Sequence, residues 1–424
     1  MPGSQGSWSP LEKGKALART VRVSSACEKR ILRGHRWIFS NEVEERLKEF
    51  LPGEWVTVVS GSGRALGVGY INPRSLIAVR LVGAPGQEPT RAFFRDRVEA
   101  AVRYRAACYP GASVCRLIFG ESDGLPGLVV DRYGDVLVTQ VTTAGMAAVE
   151  EDLHAVLAER LNPRAIVFRN DTGARQLEGL PLEKGVAYGS LSGPLEVDCH
   201  GLRWSVDPLD GQKTGLYLDQ RDNREALRRW VQGKRVLDLF CYEGGWSLVA
   251  AAAGAAEVTG VDSSEAAVER ARENARLNGL SQDVSFVRTE ALDYLKRTPR
   301  GAFDVIVADP PAFAKTKSVL KQALKGYTDL NRRALLALKP EGILVTSSCS
   351  YHVSEQDFQG ILLKAALAAG RRLRLLQAGG QALDHPPVLA MPETRYLKCF
   401  FVQDVPEFSR PFSASDTFKG GEES

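Results

Sequence analysis

Between residues 236 and 349 the chain repeats one pattern: a short apolar run, a polar residue at or near its end, then enough residues for a helix. The runs are Val236-Leu237-Asp238-Leu239-Phe240, Val258-Thr259-Gly260-Val261-Asp262, Val284-Ser285-Phe286-Val287, Phe303-Asp304-Val305-Ile306-Val307-Ala308 and Gly342-Ile343-Leu344-Val345-Thr346. Strands this apolar need cover on both faces, and helical crossovers supply it. The pattern therefore predicts an α/β fold built on a doubly wound, mainly parallel sheet. Such sheets bind ligands at the carboxyl ends of their strands. Asp238, Asp262, Asp309 and Cys349 are all expected there.

The first of these strands leads into Phe240-Cys241-Tyr242-Glu243-Gly244-Gly245-Trp246. A dinucleotide fold would show GxGxxG at this point. Only Gly244 and Gly245 are present, late in the turn, which suits S-adenosylmethionine (SAM), a ligand with no pyrophosphate to cradle. Asp262 is placed to accept from both ribose hydroxyls. Glu290, after the third strand, is placed to meet the adenine amino group, with Asp293 as the alternative.

The fourth and fifth strands deliver the chemistry. One ends in Asp309-Pro310-Pro311-Ala312-Phe313, a carboxylate in a rigid turn, and the other in Ser347-Ser348-Cys349-Ser350. A cysteine and an acid at neighbouring strand ends suit covalent attack on a heterocycle.

Upstream of the sheet, 424 residues leave room for more than one domain. Residues 19–85 read as a small β-rich module, and residues 90–210 as an α+β unit with a helix from Arg91 to Cys108 and no visible catalytic constellation. The α/β domain occupies 211–404. Residues 1–18 and 405–424 read as disordered tails. The net charge of +4 is mild, but eight basic residues against two acids fall between Leu11 and Ser40. There Arg36 and Trp37 bring a cation and an aromatic ring together, as RNA recognition requires. Alternation places at least one of Trp37 and Phe39 in the core. Lys315, Lys317, Lys321 and Lys325 follow the Asp-Pro-Pro turn and suit either an RNA path or a solvated helix face. Seven scattered cysteines without a CxxC pair argue against a zinc site and against a disulfide framework, and favour a reducing cytoplasm. No apolar stretch approaches the ~20 residues of a membrane span.

Taken in order, these segments resemble the RlmI-type class I SAM-dependent RNA methyltransferases, which make 5-methylcytidine in large-subunit ribosomal RNA. Val236 to Gly245 is similar to that family's motif I, Asp309 to Phe313 to its motif IV, and Ser348-Cys349-Ser350 to its motif VI. Gly34 to Glu42 is similar to the start of its PUA domain. Gln212-Lys213-Thr214-Gly215-Leu216-Tyr217-Leu218-Asp219-Gln220-Arg221 resembles the segment that crosses the SAM pocket. The resemblance implies a PUA-like RNA-binding domain, a middle domain and a Rossmann-like methyltransferase domain. Gln212, Lys213, Thr214, Arg221, Asp238, Phe240, Gly244, Asp262, Glu290 and Asp309 are its cofactor-binding residues. It departs from the family at Glu243, where threonine is frequent, and at Glu290, where aspartate is common.

The resemblance also implies the chemistry. Cys349 is the nucleophile and Asp309 the group that meets the cytosine edge. Pro310 fixes the turn, Phe313 stacks on the flipped base, and Arg36, Trp37 and Lys315 contact RNA. Motif IV lacks the second cysteine some cytosine methyltransferases use for release, so a single-cysteine mechanism is implied. The partner is ribosomal RNA, naked or partly assembled, and a homodimer is compatible with the reading. Two rivals are an RNA N-methyltransferase, in which the target nitrogen needs no covalent activation, and a non-catalytic RNA-binding assembly factor.

Overall fold

A computed structural model describes residues 19–211, 214–314 and 317–409. The tail expected over 1–18 lies outside these residues, as does the chain beyond 409. The tail predicted to begin at 405 is ordered at its start. Val405 is buried and its N–H donates to the Arg372 carbonyl at 2.8 Å. The chain packs as two compact units: Met1–Asp219 with Ala382–Arg395, and Gln220–Gln381 with Tyr396–Ser424.

The first unit holds two five-stranded sheets. One runs in the order Thr20–Arg22, Glu54–Val59, Ala65–Ile71, Val79–Gly83, Trp37–Ile38. The other runs Glu183–Gly189, Ala165–Asn170, Val136–Val141, Leu128–Tyr133, Val114–Phe119. Helices Arg91–Cys108 and Glu150–Leu161 pack on each other beside the second sheet. The β-rich module has a core of its own, with Val21, Val56, Ile71 and Val79, but a second cluster crosses the boundary foreseen at 85–90. Trp55, Tyr70 and Val82 share one cluster with Phe94, Val98, Leu128 and Leu153. Trp55 meets Tyr70 and Phe94 edge-on, with centroids 5.6 and 6.2 Å apart, so large aromatics tie the first sheet to helix Arg91–Cys108. The Ala382–Arg395 segment also belongs to this unit. Asp384 accepts from the Arg116 N–H at 2.9 Å, and its carbonyl accepts from Arg105 at 2.8 Å.

The second unit is one seven-stranded sheet in the order Val284–Arg288, Glu257–Asp262, Arg235–Leu239, Phe303–Ala308, Leu338–Ser348, Lys398–Asp404, Leu373–Gly379. The first five are mutually parallel, and Lys398–Asp404 runs antiparallel to both its neighbours. This is the predicted doubly wound α/β sheet, closed by an antiparallel return strand. Its crossovers start and stop on local signals. Ser264 accepts from the Ala267 N–H to cap Glu265–Leu277. Ser354 and Asp357 form a capping box on Glu355–Ala369, which ends at left-handed Gly370. The buried side chains of Leu239, Ile306, Leu344, Tyr327, Phe358 and Phe400 lie in one cluster.

One glycine is essential to this packing. Gly260 lies mid-strand, where a Cβ would sit 2.6 Å from the Phe286 ring and 2.9 Å from Ser247 Oγ. Helix Gly245–Ala252 can approach the sheet only because that Cβ is missing. Gly260→Ala should therefore cost about 1–3 kcal/mol, the usual penalty of overpacking. The measurement is the urea midpoint at constant slope; an unshifted midpoint would mean the helix can give way.

Candidate active site

The loop after the Arg235–Leu239 strand leaves the sheet through unusual backbone. Phe240, Tyr242 and Gly244 have φ of 63°, 49° and 88°. Left-handed backbone at two non-glycine residues is costly and is retained only where the surroundings impose it. Here Cys241 N–H donates to the Val261 carbonyl at 3.0 Å and Tyr242 N–H to Asp262 Oδ2 at 3.0 Å. Glu243 is buried and pairs with Arg270 at 2.6 Å, and the guanidinium lies over the Tyr242 ring. Glutamate in place of the expected threonine thus staples the loop to helix Glu265–Leu277.

Three acids were expected at successive strand ends. Asp262 fits: it is partly exposed, and Tyr242 and Ser264 amides orient its two oxygens. Asp238 does not sit at the end. It lies inside its strand, paired with Gly260 and Val307, and is fully buried. Its Oδ2 accepts from Ser247 N–H at 2.9 Å and Ser247 Oγ at 2.6 Å, while Oδ1 has no hydrogen-bond partner among the described residues. Burial, with a smaller contribution from Asp309, raises its carboxyl to about 7. Glu290 is exposed and caps the start of Ala291–Arg297, and its carbonyl accepts from Asp293 and Tyr294. Asp293, the alternative adenine contact, pairs with Lys296 at 2.7 Å.

Asp309 directly follows the Phe303–Ala308 strand and is held from two sides. Gln220 Nε2 donates to Oδ1 and Trp246 Nε1 to Oδ2, each at 3.0 Å. Gln220 also reaches Ser347 Oγ at 3.1 Å and accepts from Asn223 at 2.7 Å. Cys349 stands past the adjacent strand, whose Thr346 pairs with Ala308. Its thiol is partly exposed, and Sγ lies 4.0 Å from the carbonyl oxygen of buried Pro310. Ser350 Oγ accepts from the Ala314 N–H at 3.1 Å and contacts Tyr327 Oη at 3.0 Å, which ties the two turns together. Phe313 lies against Tyr327 with centroids 4.5 Å apart, so one of its faces is already covered. Arg221 is buried at the start of helix Arg221–Leu227.

Other predicted residues lie elsewhere. Gln212, Lys213 and Lys315 fall outside the described residues. Thr214, in the first unit, is buried and donates to Asp131. Asp131 is fully buried and gripped by Arg116 through Nε at 2.5 Å and Nη2 at 2.9 Å. Reading the middle region as lacking any constellation missed this group. The signal was present, since Leu128-Val129-Val130-Asp131 is also an apolar run that ends in an acid. Arg36 and Trp37 belong to the first unit as well. Trp37 Nε1 donates to Glu121 at 2.9 Å, and burial lowers the Arg36 guanidinium below its ordinary value. Neither Trp37 nor Phe39 is core. That strand is two residues long, and Ile38 takes its inward position. The basic stretch is also less one-sided in space than in sequence: Arg19 pairs with Glu54, Arg22 with Glu44 and Arg30 with Glu42.

Two family models match. A S-adenosylmethionine-dependent methyltransferase model covers residues 134–366, and a PUA-like domain model covers 21–83. The chain belongs to the SAM-dependent methyltransferase family. It is 43% identical over 385 residues to the ribosomal RNA large subunit methyltransferase I of Shewanella amazonensis, spanning 89% of this chain and 97% of that one. It is 40% identical over 380 residues to the protein of that name from Klebsiella pneumoniae, spanning 88% and 95%. A crystal structure of SMU.776, described as a methyltransferase and complexed with SAH, shares the fold at a TM-score of 0.79 and 21% identity, over 91% of this chain and all of that one.

The cofactor of this methyltransferase is SAM, and the donor set suits it. Its ribose hydroxyls are donors, and the partly exposed Asp262 carboxylate offers them acceptors.

Asp238 also makes stability depend on pH. Its folded value lies above that of an unfolded aspartate, so the folded state holds the proton more tightly between about pH 4 and 7. Stability contributed by the neutral form is complete below that window and lost as pH rises through it. Asp238→Asn, which stays neutral, should be more stable than the parent by roughly 2 kcal/mol more at pH 8 than at pH 5. Thermal unfolding of the SAM-free proteins at both pH values measures the difference; equal gaps would reject the assignment.

Proposed function

We propose that this protein methylates C5 of a cytosine in large-subunit ribosomal RNA, in the cytoplasm, through a covalent Cys349 adduct. One observation carries the reading: a partly exposed thiol and a fixed carboxylate share the carboxyl edge of adjacent parallel strands, with Cys349 Sγ 4.0 Å from the Pro310 carbonyl. The names of the bacterial relatives supply the RNA class.

Cytosine C5 is a poor nucleophile. Bound SAM supplies the electrophilic methyl group. Thiolate addition from Cys349 forms a C6–S bond and shifts the C5–C6 π pair so that C5 becomes enamine-like. Asp309, aimed by Gln220 and Trp246, meets the N3/N4 edge; as the neutral acid it passes its proton to N3 while the thiolate adds, so the ring gains no net negative charge, and the resulting carboxylate accepts from the N4 amino group. Once C5 carries the methyl, loss of the C5 proton to a base and cleavage of the C6–S bond restore the aromatic ring. Cys241 is buried, and its thiol is pushed well up by burial, so it is no rival nucleophile.

Two measurements test this. Ribosomal RNA containing 5-fluorocytidine should trap the enzyme as a denaturation-resistant adduct, because C5 then has no proton to lose. Cys349→Ala should abolish both adduct and methyl transfer, a loss of at least ~10³-fold if the nucleophile carries the step. Full transfer by Cys349→Ala would replace the cytosine reading with amino-group methylation.

A further inference from the structure

Behind the Cys349 turn lies a buried lysine. Lys398 opens the antiparallel return strand, opposite Ser348. Its side chain is only 6% exposed, and Nζ donates to the carbonyls of Ser350 at 2.8 Å and Tyr396 at 2.9 Å. An ammonium is strongly hydrated and is rarely buried so deeply without a role. Here its charge is set against the backbone of the residue next to the nucleophile. Among the described residues, the ionisable groups named next around Cys349 do not favour an anion. Asp309 stands on the neighbouring turn, and the Pro310 carbonyl points its oxygen at Sγ. Tyr327, on helix Leu320–Ala337, is neutral, its hydroxyl raised by burial. Cys399, beside Lys398, is a buried neutral thiol. His352, on the same turn as Cys349, is partly exposed and stacks edge-on with Tyr351.

We propose that Lys398 is a positioning residue of the methyl-transfer site: its buried ammonium fixes the Cys349–Ser350 turn by gripping the Ser350 carbonyl and favours the Cys349 thiolate. The cation acts through the turn and need not touch RNA or SAM. The proposal rests on Cys349 as the nucleophile. It explains how a thiol with a carboxylate nearby becomes reactive.

The test reads the thiol directly. Full-length protein is alkylated with iodoacetamide from pH 6 to 10, and the Cys349 peptide is followed by mass spectrometry. In the parent the rate should reach half-maximum below the ordinary thiol value of about 8.5. Lys398→Met should move that midpoint up by about one unit, and Lys398→Arg should restore most of it. A parent midpoint at or above the ordinary value overturns the proposal, whether or not Lys398→Met folds. So does an unmoved midpoint in Lys398→Met that still binds SAH. Trapping on 5-fluorocytidine RNA reports the nucleophile reading separately. A Lys398-dependent midpoint without an adduct keeps the electrostatic role and discards the cytosine chemistry.

Discussion

The hydrogen bonds between Asp238 and Ser247 hold the site together. A carboxylate in the middle of the first parallel strand captures both the amide and the hydroxyl of a residue on the following helix. That contact lies in the protein interior, where water does not compete, and the low local dielectric strengthens it. It seats helix Gly245–Ala252 on the sheet at the distance Gly260 allows. The same helix carries Trp246, whose indole fixes one oxygen of Asp309. One clamp therefore sets the strained loop before the helix and the orientation of Asp309.

Much of this was legible in the sequence, for identifiable reasons. Apolar runs that end in acids gave the strands and their order of use, because a parallel sheet must bury both faces. Cys349 and Asp309 were placed together because neighbouring strands end on the same edge. What failed to show was anything decided by partners distant in sequence. Asp238 and Asp262 look alike as strand-end acids, yet one is sealed under a helix and the other is partly exposed. Trp37 and Arg36 read as a free basic and aromatic surface, but Glu121 and the Val82 carbonyl engage them from far along the chain. Asp131 ends an apolar run as the others do, but its partners, Arg116 and Thr214, are recognisable only once folded.

Backbone strain is concentrated at the loop that follows the Arg235–Leu239 strand. Left-handed Phe240 and Tyr242 are maintained by the amide of Cys241, the carboxylate of Asp262 and the Glu243–Arg270 pair. The partly exposed Asp262 carboxylate thus holds the loop, so a change at Asp262 would release the backbone of Tyr242.

The excursion of Ala382–Arg395 has a consequence for how the chain matures. The first unit lacks Asp384 and its bonds to Arg105 and Arg116 until that segment has been made. The parallel sheet likewise lacks its return strand, and with it Lys398, until Lys398–Asp404 follows. Both units are therefore finished by one stretch of 23 residues, 382–404. During synthesis the N-terminal half emerges long before it can close, and neither unit completes ahead of the other. A nascent or C-terminally clipped chain would then hold two unfinished cores instead of one finished and one missing, so both are lost or gained nearly together.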